Sequence, residues 1–189
     1  AGSGYAIYDP EKKTLLLQDA VISNAVSLPI DDVAVTINGS LTIESGLLQL
    51  QNATSVAIEE NAPIEIKGTS TSLALPDSTT GDKFKALNLS GNGYIYYDQT
   101  VCRITTLNYE LGDGVNSSAN PKVYIKFPEG ESGGYTFVAP KGYYPIALTA
   151  PTKKGYDFKG WYSDAEYSNK VDAIVANLPV NTTTNTLTL

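Results

Sequence analysis

Two pairs of neighbouring carboxylates, Asp31-Asp32 and Glu59-Glu60, are the first residues whose chemistry needs an explanation. Carboxylate oxygens are ligands that calcium prefers, but no loop of spaced Asp, Asn and Gly accompanies either pair. A glycosidase needs two carboxylates that face each other across about 5 to 9.5 Å. Neighbouring residues of a strand point to opposite faces, so neither pair meets that need alone. We therefore predict no metal site and no catalytic residue here.

The residue types that are missing narrow the chemistry further. The chain has no His and one Cys, which excludes Ser-His-Asp and Cys-His catalytic arrangements, His-based metal sites and Cys clusters. A single cysteine also excludes a disulfide within the chain, and we expect Cys102 to be a buried, unreactive thiol. We predict that the protein is not an enzyme and uses no cofactor.

Tyrosines are the remaining candidates for contact with a ligand. A tyrosine ring that faces solvent can stack on a sugar or pack against a protein, while the alternative is that it only fills a strand or a core. Tyr162 follows Trp161 and should face the opposite side of its strand. We expect Trp161 and Phe158 to be core residues. The four candidate ligand-binding residues are Tyr97, Tyr143, Tyr144 and Tyr162.

The run from Tyr94 to Tyr97 illustrates how these candidates depend on the strands that carry them. Tyr94 and Tyr96 share one face of a strand, and Ile95 and Tyr97 share the other. The repeat described below aligns Tyr96 with Leu73, so we expect Tyr94 and Tyr96 inside and Tyr97 outside.

Short alternation of apolar and polar residues dominates the first hundred positions, as at Val33, Val35 and Ile37. A period of two predicts strands with one buried face, and turn signals such as Asn38-Gly39 separate them. The best helical candidate, residues 164–176, is short and interrupted, and residues 76–84 are predicted to form a loop. We predict a mainly all-β chain.

The predicted strands repeat at a fixed step along the chain, so that equivalent apolar residues are evenly spaced. Such a step is typical of a solenoid, in which each repeat is one coil stacked on its neighbour. We predict a right-handed parallel β-helix or a similar solenoid, with a β-sandwich and a leucine-rich repeat as the alternatives. The columns that this step predicts include Leu41–Ile64–Leu87, Ile43–Ile66–Leu89 and Leu50–Leu73–Tyr96.

A polar, Gly-rich segment ending at Pro121 divides the chain. Its composition is typical of a linker or long loop, and Tyr, Gly, Pro and Lys become more frequent after it. We predict a solenoid-like domain over residues 1–115, a linker over 116–121 and a second domain over 122–189.

The second domain contains Pro151-Thr152 followed by Gly-Tyr-Asp-Phe-Lys-Gly-Trp-Tyr at residues 155–162. This segment closely resembles the Listeria–Bacteroides repeat, also called the internalin B-repeat. The resemblance implies a small β-grasp-like module of bacterial surface proteins, often in tandem with neighbouring domains, that acts as a spacer or a binding element. Residues 8–17 are similar to the openings of β-helical regions in gut-bacterial surface proteins.

Charge and composition limit the partners. The chain has 13 Lys and Arg against 20 Asp and Glu, a net charge of -7. The basic residues are scattered, so we predict no nucleic-acid binding. The apolar runs are too short to span a bilayer, so we predict no membrane insertion. Because the chain has no Met, we expect a mature or trimmed piece of an exported protein.

From the resemblance we expect an extracellular, cell-surface location and a non-catalytic function in adhesion, ligand display or spacing, with a host protein or a glycan as partner. The alternative is a glycan-binding module of a larger carbohydrate-active enzyme.

Overall fold

A computed structural model describes residues 4–23, 27–128, 130–132 and 135–189. In this part the chain forms 19 strands and one short helix. The amino-terminal elements are β1 Tyr5–Asp9, β2 Thr14–Ile22, β3 Ser27–Pro29, β4 Ala34–Ile43, β5 Leu47–Gln49, β6 Ser55–Ile58, β7 Pro63–Ile66, β8 Ser72–Ala74, α1 Gly81–Ala86, β9 Asn88–Gly91, β10 Tyr94–Tyr97 and β11 Thr100–Asn108. The later strands are β12 Val123–Lys126, β13 Gly130–Ser132, β14 Tyr135–Phe137, β15 Ile146–Ala147, β16 Trp161–Tyr162, β17 Lys170–Val171, β18 Ala173–Ile174 and β19 Thr186–Thr188.

The first hundred residues form a β-solenoid of about four turns, which confirms the predicted fold class. One wall has the strand order β1-β2-β4-β7-β9, with β6 also paired to β4. The other wall has the order β12-β11-β10-β8-β5-β3. Strands of successive coils pair in parallel, as β4 does with β7 and β5 with β8. Parallel pairing between successive coils excludes the β-sandwich alternative, because the sheets of a β-sandwich are antiparallel.

The prediction of one fixed step holds between β4 and β7 and is wrong elsewhere, since Leu73 pairs with Leu48 and not with Leu50. Leu41 pairs with Ile64 at the predicted step, but Ile64 then pairs with Leu89 rather than with Leu87. The coils differ in length because the turns between their strands do. Each strand keeps its own inward-facing alternation whatever the length of the preceding turn, so the interior columns survive a change of step. Another observed column is Leu48–Leu73–Ile95.

This change of step reverses the prediction for β10. Ile95 pairs with Leu73 and is fully buried, whereas Tyr94 and Tyr96 lie on the other face and are half-buried. Tyr97 shares the inner side with Ile95 and is also half-buried. The expected positions of the three tyrosines were therefore wrong.

A second correction concerns residues 76–84, which contain the start of α1. Thr80 caps this helix by accepting a hydrogen bond from the Lys83 amide, Asp82 favours the first turn, and Phe84 is buried. A helix this short does not display a helical period, which is why the sequence pattern missed α1. Residues 164–176, the best helical candidate, form turns and short strands instead. Within the described part of the chain, no helix has the length and apolar character to cross a membrane.

Two clusters of buried side chains share strands. Ile104 of β11 and Ile125 of β12 belong to the solenoid core. Leu107 of β11 and Tyr124 of β12 belong to a second core, which also contains Trp161. The strand β19 pairs in parallel with the end of β11 and closes this second core. The division at residues 116–121 stays a prediction.

Candidate ligand-binding surface

Tyr143 and Tyr144 lie against the outer edge of β12 and bind its backbone. The Tyr143 hydroxyl accepts a hydrogen bond from the Ile125 amide (2.6 Å), and the Tyr144 hydroxyl donates to the Ile125 carbonyl (3.0 Å). Leu107 donates to the Lys122 carbonyl across the β11–β12 pair, so by alternation Ile125 presents its amide and carbonyl away from β11. The two tyrosines therefore cap the free edge of this sheet.

The rings of Tyr143 and Tyr144 differ in their burial, and so in their access to a ligand. Tyr143 is 2% exposed, and burial raises the pKa of its hydroxyl well above the ordinary value. A ligand would reach this ring only if the core opened. Tyr144 is half-buried, and its ring contacts that of Tyr143 edge to face with 4.9 Å between centroids. We assign Tyr143 to the packing of the β12 edge, and a ligand role for the half-buried Tyr144 stays a prediction.

Tyr97 packs in a similar aromatic cluster on the solenoid. Its ring lies edge to face against Phe84 at 5.4 Å and Phe127 at 5.7 Å. Burial, and then the nearby Asp98 and Asp77 carboxylates, raise the pKa of the Tyr97 hydroxyl. These contacts hold Tyr97 in place and leave only part of its ring for a partner.

Tyr162 is the predicted residue that the structure places beside a large opening. We call this opening, with a volume of about 550 Å³, the aromatic groove. Trp161, which is 5% exposed, and the half-buried Tyr162 face opposite ways on β16, as predicted. Phe158 was expected in the core but is 41% exposed. The aromatic residues that line the groove are Tyr156, Phe158, Trp161, Tyr162 and Tyr167.

The rings of the aromatic groove are positioned by contacts with each other and with a clamped turn. Tyr162 and Tyr167 meet edge to face at 5.5 Å, and Phe158 meets Trp161 at 5.0 Å. β16 pairs with β17, and the Asp164 carboxylate accepts hydrogen bonds from the Ser168 and Asn169 amides in the turn between them. This turn carries Tyr167, which is 74% exposed.

Charged groups surround the rings. The Lys153 ammonium lies 4.4 Å from the centroid of the Tyr156 ring, within the range of a cation–π contact. Lys153 also pairs with Asp113, and its hydrogen bond is the main cause of the lowered pKa of the Asp113 carboxyl. The groove thus combines exposed aromatic faces with polar groups, a combination suited to stacking and hydrogen bonding.

Sequence reasoning did not single out Tyr167. It lies in the stretch that was considered as a helix, and no motif marks it. The only sequence signal was its place in the polar turn after the Gly-Trp-Tyr motif. Its position beside Tyr162 depends on the pairing of β16 with β17, in which Tyr162 pairs with Lys170. The sequence pattern did not predict this pairing.

The structure also places the acidic side chains and the single cysteine, the groups that metal or thiol chemistry would use. In the described ranges, no three His, Cys, Asp or Glu side chains come together as a metal would require. Cys102 is buried as expected, and burial raises its pKa to about 12. Its thiol is therefore protonated at neutral pH and unreactive.

Comparison with known proteins finds a similarity in the carboxy-terminal part. Residues 106–189 match the family model of the Listeria-Bacteroides repeat domain, which confirms the resemblance seen in the sequence. The match begins ahead of the boundary predicted at residue 122 and so includes the end of β11. This repeat occurs in bacterial surface proteins. No curated protein and no solved structure matches the chain.

Proposed function

We propose that the protein is a non-catalytic, adhesive part of a bacterial cell-surface protein, exported from the cell, in which the solenoid supports the repeat module and the module displays the aromatic groove. The surface location of this repeat family supports the cellular part of the proposal. The expected partner is a host protein or a glycan.

One observation carries the ligand-binding part: the groove keeps large rings exposed. Tyr156 and Tyr167 are 70% and 74% exposed. Burying an aromatic side chain stabilises a fold by roughly 1.5–3 kcal/mol, so folding alone does not explain why these rings face solvent. Aromatic residues are enriched where proteins meet partners, and a clustered set in one groove fits that use.

A binding array of host glycans, plant polysaccharides and extracellular-matrix proteins tests the proposal. We expect a hit whose affinity falls at least about tenfold in the double variant Tyr162→Ala with Tyr167→Ala, since aromatic anchors dominate binding energy. Tyr8→Ala is the matched control, because Tyr8 is a 56% exposed tyrosine of β1, outside the groove. A hit that both variants leave unchanged would remove the groove from the function.

The same array separates the two remaining functions. Hits confined to polysaccharides would favour a glycan-binding module of a larger carbohydrate-active enzyme, which the mixture of rings and polar groups also fits. A folded protein that binds nothing on the array would favour a spacer that holds other domains away from the cell.

A further inference from the structure

One wall of the solenoid ends unevenly. The first half of β4 pairs with β2 on one side and with β6 on the other. The second half of β4 pairs with β7, and β7 pairs in turn with β9. The chain that precedes β9 forms a loop and α1 instead of a strand. In the described part of the chain, β6 therefore pairs on one side alone.

The space beside β6 is a groove of about 670 Å³, lined on one side by residues 53–61 and on the other by parts of residues 75–87. We call it the β6 groove. Its floor is apolar: Val56 and Ile58 are half-buried, whereas Val35 and Ile37, their partners one coil earlier, are 1% and 0% exposed. The side-chain columns Val35–Val56 and Ile37–Ile58 therefore end at a partly open surface, which a further strand would cover.

The backbone of β6 is prepared for a further strand. Glu59 donates its amide hydrogen to the Ile37 carbonyl, so by alternation along the strand Ala57 faces β4, while the amides and carbonyls of Val56 and Ile58 face the groove. An extended peptide can use such an edge by adding a strand to the sheet. Four strand residues span about 13 Å, the length of β6.

Charge indicates the composition of the peptide. Two carboxylates, Glu59 and Glu60, follow β6 at its carboxyl end, against one ammonium, Lys83, in the lining. Both glutamates are exposed, and the whole chain carries a net charge of -7. A strand parallel to β6 would end near these carboxylates, where a basic residue is favourable.

We propose that the β6 groove binds an extended peptide from another protein, which adds to β6 as a parallel strand. The peptide has aliphatic side chains at alternate positions, which continue the Val35–Val56 and Ile37–Ile58 columns, and a basic carboxyl-terminal end. This site is separate from the aromatic groove.

The probe is a fluorescein-labelled hexapeptide, Ala-Val-Thr-Ile-Lys-Lys, which copies residues 34–37 and adds two lysines. With its Val above Val56, its Thr amide points toward β6 and its Ile amide points away. We expect the peptide with N-methyl-Thr to lose binding and the peptide with N-methyl-Ile to keep it, measured by fluorescence anisotropy. Binding should also slow hydrogen exchange of the Val56 and Ile58 amides.

Variants of the protein locate the site independently. Ala86 is exposed and lines the groove, so Ala86→Trp should fill it and weaken binding at least about tenfold. Lys85→Trp is the matched control, since Lys85 is exposed on the same helix and does not line the groove. Circular dichroism checks that both variants fold.

Three outcomes would overturn the proposal. One is a folded protein that binds none of the probe at a concentration of about 1 mM. Another is equal binding of the two N-methylated peptides. The third is concentration-dependent protection of the Val56 and Ile58 amides without peptide, because the occupant would then be a second copy of this chain.

Discussion

The solenoid and the repeat module differ in how regularly their contacts recur. The solenoid stacks aliphatic residues such as Leu41, Ile64 and Leu73, which are fully buried in columns that continue from one parallel pair of strands to the next. Rings such as Phe84 join the solenoid core at α1, outside these columns. After β12 the module has strands of only two or three residues, and the second core combines aliphatic residues with the rings of Trp161 and Tyr124. Coils can repeat one kind of contact, whereas a module of short strands uses large rings and polar side chains to connect its loops.

Polar links in the module bear this out. The Tyr109 hydroxyl donates to the Pro121 carbonyl at 2.8 Å, and the Lys126 ammonium donates to the Leu178 carbonyl at 2.8 Å. The Asn120 amide group connects to the Thr149 backbone in both directions. The Lys126 and Asn120 links join segments that no described ladder joins, and the Tyr109 link lies just beyond the β11–β12 ladder. The module therefore has individual contacts where the solenoid has repetitive ones.

The largest expected effect tests whether the two cores unfold together. Ile64→Ala leaves a cavity in the middle of a column, so we expect a loss of about 2–5 kcal/mol in the free energy of unfolding. Because β11 and β12 contribute to both cores, the loss should appear equally in two signals. Urea denaturation followed by circular dichroism reports on the whole chain, and Trp161 fluorescence reports on the module.

Ile7→Ala is the control for this experiment, since Ile7 is 55% exposed and its loss should shift the transition little. Two separate transitions, with Trp161 fluorescence unmoved in Ile64→Ala, would contradict the shared-strand argument. The solenoid and the module would then be independent units joined in sequence.

A smaller effect is expected at the capped edge of β12. Tyr143→Phe leaves the buried Ile125 amide without its hydrogen-bond acceptor, so we expect a loss of about 1–3 kcal/mol in the free energy of unfolding. Tyr124→Phe is the matched control, because the Tyr124 hydroxyl is equally buried and has no hydrogen-bond partner in the described part of the chain. We expect Tyr124→Phe to be close to neutral.

Urea denaturation of the two variants measures this difference. Equal losses would mean that the Tyr143 hydroxyl contributes nothing beyond its volume. The hydrogen bond between Tyr143 and the edge of β12 would then add no stability compared with an uncapped edge such as that of β6.

The architecture of the solenoid was predictable because its signals are local. Inward alternation and glycines with positive φ, such as Gly39 within β4 and Gly46 and Gly68 between strands, mark each coil without any long-range information. The partners between coils were not predictable from a fixed step. Turn lengths vary from coil to coil. Ile64 therefore pairs with Leu89, where Leu87 was predicted, and Leu73 pairs with Ile95, where Tyr96 was predicted.

The candidate site was predictable only in part, for a related reason. Tyr162 was placed correctly because adjacent strand residues face opposite ways. Tyr143 and Tyr144 are not distinguishable from surface tyrosines by sequence, since their hydroxyls bind a strand that lies well before them in the chain. The exposure of Phe158 depends on how loops of the module fold together, which no periodic pattern encodes.

The smallest expected effect concerns the turn that carries Tyr167. Hydrogen bonds from the Ser168 amide, and then from Asn169, lower the pKa of the Asp164 carboxyl in the folded protein. A carboxyl whose pKa is lower in the folded than in the unfolded state favours folding above its unfolded pKa of about 4. That contribution disappears as the pH falls through the folded pKa. In the solenoid, hydrogen bonds from the Gln18 side chain, and then from the Ser40 amide beside Gly39, likewise lower the pKa of the Asp19 carboxyl.

Thermal unfolding at pH 6 and pH 3 measures this contribution in the original protein and in Asp164→Asn. We expect a smaller pH-dependent change in Tm for the variant, because its side chain does not titrate. Asp157→Asn is the control, since it removes a carboxylate that lines the same groove but is 91% exposed in its side chain and clamps no turn. If the two variants change the pH dependence equally, general charge accounts for it, and the hydrogen bonds that Asp164 accepts in its turn contribute nothing specific.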